Sequence, residues 1–203
     1  MSLLRAFIAV DISPEFQQAI RQTISGLQIA IGSLVRWVPI ENMHLTLKFL
    51  GDIPPADVDR LSQMIRAEAD SCSSFDMLLN GLGSFPSLKR PRVIYIGIQA
   101  AAGLEALQRG IESAARRLGY KSDANGGRGF SPHLTIGRVR QYASASDQQK
   151  IRRLIEETKI DSPGTARVDS VHLYKSDLKP TGSVYTRLFS APLKNQPQSA
   201  QRI

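Results

Sequence analysis

The sequence predicts an α+β fold of two pseudo-symmetric lobes. Three observations carry this reading. An order of strand, helix, histidine strand, helix, strand runs twice along the chain. The spacing agrees, with Phe7 to His44 spanning 37 residues and Tyr95 to His133 spanning 38. The two histidine strands also carry near-copies of one phrase, His44-Leu45-Thr46-Leu47 and His133-Leu134-Thr135-Ile136. A repeated supersecondary order marks a duplicated unit, and two copies suit paired lobes about a pseudo-twofold axis better than a solenoid. Identity between the halves is low outside the phrases, so the duplication rests on order and spacing.

Each element has its own signal. Residues 5–11 (Arg-Ala-Phe-Ile-Ala-Val-Asp) form an apolar run of strand length. Ser13-Pro14-Glu15 is a helix start, a capping serine before a first-turn proline, and the helix runs to about residue 31. Residues 35–39 are a short extended piece and Glu41-Asn42 a turn. The first histidine strand covers 43–50 and ends at Gly51. Pro54-Pro55 opens a second helix over 55–70, with Val58, Leu61, Ile65 and Ala69 at helical spacing. Residues 75–82 read as a strand. In the second half, 92–99 is a strand, 103–118 a helix and 121–129 a polar, glycine-rich loop. There follow the second histidine strand over 133–139, a helix over 146–158 and a strand over 166–174. Residues 185–190 make a closing strand with no counterpart. The approximate repeats are 5–83 and 92–175, inside a single domain over 1–192. Residues 193–203, polar and without periodicity, are expected to be a frayed tail.

Composition bounds the function. The chain has 203 residues, 42% hydrophobic and 22% charged, an ordinary globular balance with room for a sizeable core. Its apolar runs are too short to span a bilayer, and residues 1–5 carry no export signal. One cysteine, Cys72, excludes an internal disulfide and a cysteine-based metal site, so a reducing, cytoplasmic setting is expected. A net charge of +8 favours polyanionic ligands.

The histidine phrases carry the chemistry. In a strand, residues i and i+2 share a face. His44 therefore projects with Thr46, and His133 with Thr135, while Leu45, Leu47, Leu134 and Ile136 point into a core. Imidazole titrates near pH ~6.5, so two of them can serve as base and acid on opposite sides of a phosphate. The threonine hydroxyls can meet charge on the non-bridging oxygens. A strained cyclic phosphate suits such a site. Metal binding is the alternative, but the close His-x-x-x-His and Cys-x-x-Cys pairs of zinc sites are missing. Two histidines merely satisfied by hydrogen bonds are the third possibility.

Further residues resemble a known family. Arg36-Trp37-Val38 with Asn42-Met43-His44-Leu45-Thr46-Leu47-Lys48-Phe49-Leu50-Gly51 resembles the first signature of the RNA 2′,3′-cyclic phosphodiesterases, or 2′-5′ RNA ligases, of the two-histidine (His-x-Thr-x) phosphoesterase superfamily. Phe130-Ser131-Pro132-His133-Leu134-Thr135-Ile136-Gly137-Arg138 is similar to the second. Residues 5–10, 173–176 and 182–185 are also similar, so the likeness covers about 5–192. Gly137 and Ile136 stand where the family often has alanine and leucine. The resemblance implies two lobes, each an antiparallel sheet with helices outside, around a central cleft, with no cofactor and no catalytic metal. It implies hydrolysis of RNA 2′,3′-cyclic phosphate ends to 2′-phosphates, and weak reversible 2′-5′ joining. By position in the family pattern, His44 is the proton donor and His133 the acceptor, with Thr46 and Thr135 on the phosphate. The sequence alone fixes the pair and leaves that assignment open. The partner implied is RNA with a cyclic phosphate end, tRNA-like or a small RNA, met by a monomer away from membranes.

Other substrate-binding candidates stand between two readings. Arg138 falls on the wrong parity for the histidine face unless a bulge at Gly137 turns it toward phosphate; a surface ion pair is the alternative. Lys48 shares the parity of His44 and so reaches the cleft rim, or is simply solvated. Phe49 has core parity. Trp37, Phe130 and Tyr185 are base-stacking candidates set against ordinary packing. Arg128, in the 121–129 loop, can meet RNA phosphates if that loop is a flap over the cleft. His172 reads as structural. Two rival functions remain: an RNA-end-binding module without turnover, and a cyclic phosphodiesterase acting on a nucleotide, an ADP-ribose derivative or a 2′-5′ oligonucleotide.

Overall fold

A computed structural model describes residues 2–99, 101–121, 129–160, 165–180 and 182–195. The chain opens with β1 (Leu4–Asp11), whose residues 6–10 are all buried. Helix α1 (Pro14–Ile31) starts where Ser13 Oγ accepts the Phe16 N–H, and it buries Phe16, Ile20, Ile24, Leu27 and Ile31 along one stripe. Gly32 ends it at φ 60°, a conformation that costs glycine nothing. Next come β2 (Val35–Trp37), β3 (His44–Ile53), α2 (Val58–Asp70), β4 (Phe75–Ser87), β5 (Arg90–Gln99) and α3 (Ala102–Arg117). The second half continues with β6 (His133–Val139), α4 (Ala145–Glu157), β7 (Thr165–Val168), β8 (Ser170–Lys179) and β9 (Gly182–Pro192). Helix α4 carries a capping box between Ser144 and Asp147.

Among the described residues the strands form one nine-stranded sheet in the order β7-β4-β5-β6-β3-β1-β8-β9, with β2 added along β6. Every pairing named within it is antiparallel. The two halves of the sheet meet at β3 and β6 through one register pair, Leu45 opposite Leu134. Helices α2 and α3 pack together, as do α1 and α4. The predicted α+β architecture with two related halves is therefore present.

The halves are not the contiguous repeats expected over 5–83 and 92–175. Strand β4, from the first repeat, pairs with β5 in the second half. Strand β8, from the second repeat, pairs with β1 in the first. Each repeat thus lends its third strand to the other. The strand expected over 166–174 is in fact two, since β7 pairs with β4 while β8 runs beside β1. Each of those edges then offers pairing to a different half. The closing strand does have a counterpart: β9 flanks β8 as β7 flanks β4. The expected tail also begins too early. Leu193 is buried, and Lys194 exchanges backbone hydrogen bonds with Cys72 and Ser74. Among the described residues no helix is long and apolar enough to cross a membrane.

Candidate active site

The single Leu45–Leu134 pair brings the histidine phrases together. Extending its antiparallel register by one residue sets His44 opposite Thr135 and Thr46 opposite His133. Leu45, Leu47, Leu134 and Ile136 are buried beneath, as alternation predicts. All four polar residues line one cleft of about 480 Å³.

Each imidazole is held in the same way. His44 Nδ1 lies 2.9 Å from the Asn42 carbonyl, and His133 Nδ1 lies 2.7 Å from the Ser131 carbonyl. A carbonyl can only accept, so both Nδ1 atoms donate, which leaves each Nε2 as the nitrogen for exchanging protons. Aromatic rings back both histidines. Phe7 stacks on His44 at 4.6 Å and on Tyr174 behind it at 5.4 Å. His133 meets Tyr95 at 5.3 Å and Phe85 at 4.9 Å, and those two rings stack at 4.4 Å. In each half one ring, Phe7 or Tyr95, comes from the strand that opens the repeat. The second comes from the borrowed strand.

Burial pushes both imidazoles below their ordinary value. For His44 the Asn42 carbonyl and the Asp11 carboxylate oppose that effect, and His133 adds to it. For His133 the Ser131 carbonyl opposes it and the Arg138 guanidinium adds to it. Asp11 is the register partner of His44 and binds the Tyr174 hydroxyl at 2.7 Å and Arg187 at 2.6 Å. Among the described residues no carboxylate lies in a corresponding position beside His133.

A matched pair of bulges decides what else faces the cleft. Ile8 and Ala9 pair with Lys48 and Thr46, which leaves Leu47 as the extra residue of β3. Ile94 and Tyr95 pair with Gly137 and Thr135, which leaves Ile136 extra in β6. Each bulge reverses parity beyond it. Arg138 is thereby turned into the cleft, the outcome the sequence made conditional on a bulge.

The same reversal overturns two expectations in β3. Lys48 is not at the rim; it is wholly buried, 3.1 Å from Glu112 of α3, and donates to the Lys121 carbonyl. Phe49 is not core; it lines the cleft and is 59% exposed. The signal was present, because aligning the phrases places Phe49 level with Arg138. Gly137 lies at the close approach of β2 to β6. It is buried where an added Cβ would stand 2.5 Å from Val35, so β2 needs the glycine to pass.

The stacking candidates divide. Trp37 and Tyr185 line the cleft, Tyr185 edge-on to His44 at 5.0 Å. Phe130, three residues before β6, packs against the core and is not among the cleft-lining residues. Arg128 lies outside the described residues. His172 is buried beside Asp11, away from the cleft lining. Sequence reasoning gave no role to Phe7, Arg5, Arg36, Asn42, Leu178 and Val184, all of which line the cleft. In the structure Arg36 is the register partner of Arg138 and also lines the cleft. Neither arginine meets a carboxylate among the described residues. Like charges set opposite one another are unfavourable without an anion to share.

The chain is similar to known proteins in sequence and in fold. Residues 36–180 match the family model of the 2′-5′ RNA ligase superfamily. The chain is 31% identical over 186 residues to the RNA 2′,3′-cyclic phosphodiesterase of Methanothermobacter thermautotrophicus, covering 90% of this chain and 95% of that one. It is 32% identical over 187 residues to the enzyme of the same name from Thermotoga maritima, covering 92% and 94%. The crystal structure of TT0787 of Thermus thermophilus superposes with a TM-score of 0.76 at 25% identity, covering 95% of this chain and 100% of that one. Escherichia coli LigT complexed with NADP+ superposes at 0.71 and 26% identity, covering 96% and 99%. The family match spans both histidine strands and the bulge beyond each, and on it this chain belongs to the 2′-5′ RNA ligase superfamily.

Proposed function

We propose that this protein hydrolyses the 2′,3′-cyclic phosphate at RNA ends to a 2′-phosphate, using two histidines and no catalytic metal. The observation that carries the reading is the pair of His–Thr units lining one cleft, each imidazole oriented by the carbonyl two residues before it. His133 takes a proton from water as its oxygen attacks phosphorus. The P–O3′ bond breaks in line, and His44 delivers its proton to O3′. Thr46, Thr135 and Arg138 meet the charge that grows on the non-bridging oxygens. The two protonation states are then restored by exchange with solvent.

The assignment of donor and acceptor has electrostatic support. Asp11 favours the protonated form of His44, while Arg138 favours the neutral form of His133. The relatives named for cyclic phosphodiesterase activity supply the substrate class. With an RNA 5′-hydroxyl in place of water, the same displacement makes a 2′-5′ bond, and the Arg36–Arg138 pair on the His133 side would meet a phosphate of that second strand.

The test is to incubate the protein with a cyclic-phosphate-ended oligoribonucleotide plus chelator and identify which hydroxyl keeps the phosphate. A 2′-phosphate is expected, with turnover reduced by about 10²–10⁴-fold in His44→Ala or His133→Ala. Loss of turnover on chelation, a 3′-phosphate product, or full activity in His133→Ala would overturn the mechanism.

A further inference from the structure

Three arginines line the cleft, Arg5, Arg36 and Arg138, and among the described residues no lysine or carboxylate lines it with them. Arg36 and Arg138 are register partners on the His133 side. Arg5 stands apart. It belongs to β1, where Arg5, Phe7, Ala9 and Asp11 share one face while Ala6, Ile8 and Val10 enter the core. Phe7 stacks on His44 at 4.6 Å, so Arg5 is the next side chain outward on that face, about 7 Å farther along the strand. The second half has no copy of it, because aligning Phe7 with Tyr95 puts Val93 in its place.

The register partner of Arg5 in β3 is Asp52, yet among the described residues Arg5 forms no ion pair. On its other side, Ala6 pairs with Lys175, and one further step of that register sets Arg5 beside Ser176. Ser176 is buried and lines the cleft, and its hydroxyl has no hydrogen-bond partner among the described residues. Ser176 in turn pairs with Tyr185, whose ring meets His44 edge-on at 5.0 Å. A guanidinium and a buried hydroxyl thus stand together, both unpaired, one side chain beyond the rings that flank His44. Buried hydroxyls are ordinarily satisfied, and a guanidinium beside one makes a site for an anion.

We infer that Arg5 and Ser176 bind the phosphate on the 5′ side of the terminal nucleotide, so that the cleft takes the end of a polynucleotide in preference to a free nucleoside cyclic phosphate. This rests on the function proposed above and names the part of the substrate held by the outer wall. Stereochemistry gives the direction. In a 2′,3′-cyclic phosphate the leaving O3′ is carried by C3′, and C3′ is joined through C4′ and C5′ to the upstream phosphate. If His44 protonates O3′, that arm of the ribose lies in the His44 half, while the entering water lies toward His133. The upstream phosphate then falls on the outer wall of the His44 half, where Arg5 is the cation. Guanidinium meets phosphate through paired N–H donors, and a neighbouring hydroxyl adds another. Such a contact is the same before and after the P–O3′ bond breaks, so it strengthens binding and leaves the chemical step alone.

The test compares 5′-phosphoadenosine 2′,3′-cyclic phosphate with adenosine 2′,3′-cyclic phosphate, which differ only in the upstream phosphate. The wild-type protein should favour the phosphorylated compound in kcat/KM by about tenfold or more, chiefly through KM, and the preference should shrink as ionic strength rises. Arg5→Met, which keeps the apolar stem of an exposed side chain, should bring that ratio toward one. Arg5→Lys should restore part of it, as a point charge without the paired donors. Ser176→Ala should lower it by about threefold. A wild-type ratio near one, or a preference that survives Arg5→Met, would overturn the inference while the hydrolysis itself stands. If the wild-type protein turned over neither compound, the hydrolytic reading would fail. The subsite would then be judged by binding of adenosine 2′,5′-bisphosphate against 2′-AMP, followed by the fluorescence of Trp37, the one tryptophan of the chain, which lines the same cleft. Tighter binding of the bisphosphate that Arg5→Met abolishes would uphold the subsite; equal binding, or a preference that Arg5→Met leaves intact, would end it.

Discussion

An imidazole acts as an acid only while it holds its proton, and as a base only once it has lost it. At the residue scale this protein treats its two histidines alike in geometry and differently in charge. Both are pushed below the ordinary value by burial; Asp11 resists that at His44, and Arg138 adds to it at His133. In the ligand-free protein near neutral pH, both rings are therefore mostly neutral. The working combination, His44 protonated with His133 neutral, becomes more populated as pH falls below about 6.5. It is lost again once His133 takes up a proton. The pH profile of kcat/KM, which reports the free enzyme, should be bell-shaped with its maximum on the acid side of neutrality. A maximum on the alkaline side would contradict the proton inventory.

At the scale of elements, the bulges at Leu47 and Ile136 govern the site. Without them, alternation would send Lys48 to the cleft and Phe49 and Arg138 to the core side. With them, Lys48 turns under β3 and meets Glu112 on α3, a charged pair with its lysine fully buried. Removing one member of a buried pair strands the other. Lys48→Met should therefore cost roughly 3 kcal/mol, measured by denaturant unfolding, and Lys48→Met with Glu112→Leu should recover most of it. If the single substitution proved neutral, the pair would not be what clamps α3 to the histidine strand.

At the scale of the whole molecule, the exchange of β4 and β8 between repeats ties the halves together. It also places a borrowed aromatic behind each histidine, Tyr174 in one half and Phe85 in the other. The same burial links proton binding to folding. His44, His133 and His172 are all lowered in the folded state, each chiefly by burial. Between their folded values and about 6.5 the unfolded chain binds more protons, so stability rises with pH through that window and levels off above it. The denaturant midpoint should fall as the pH drops below about 6.5, and fall less steeply in His133→Gln. A midpoint indifferent to pH across that window would mean the histidines are not held neutral.

Some of this was written locally. Strand, helix and turn signals place nearly every element, because capping serines, prolines and apolar spacing act over a few residues. The paired His-x-Thr phrases identify the reacting groups by the same short-range logic, since alternation alone puts imidazole and hydroxyl on one face. What no local signal specified was partnership across the chain. Whether residues 75–87 join their own repeat or the other depends on which sheet edge buries more apolar surface. Whether Lys48 or Phe49 faces the cleft depends on a one-residue slip against β1. Such register choices belong to pairs of strands, not to either strand, and a single slip turns every later side chain to the opposite face. The chain's own order thus specified its chemistry and its building blocks, while tertiary pairing decided which side chains line the cleft and what stands behind each histidine.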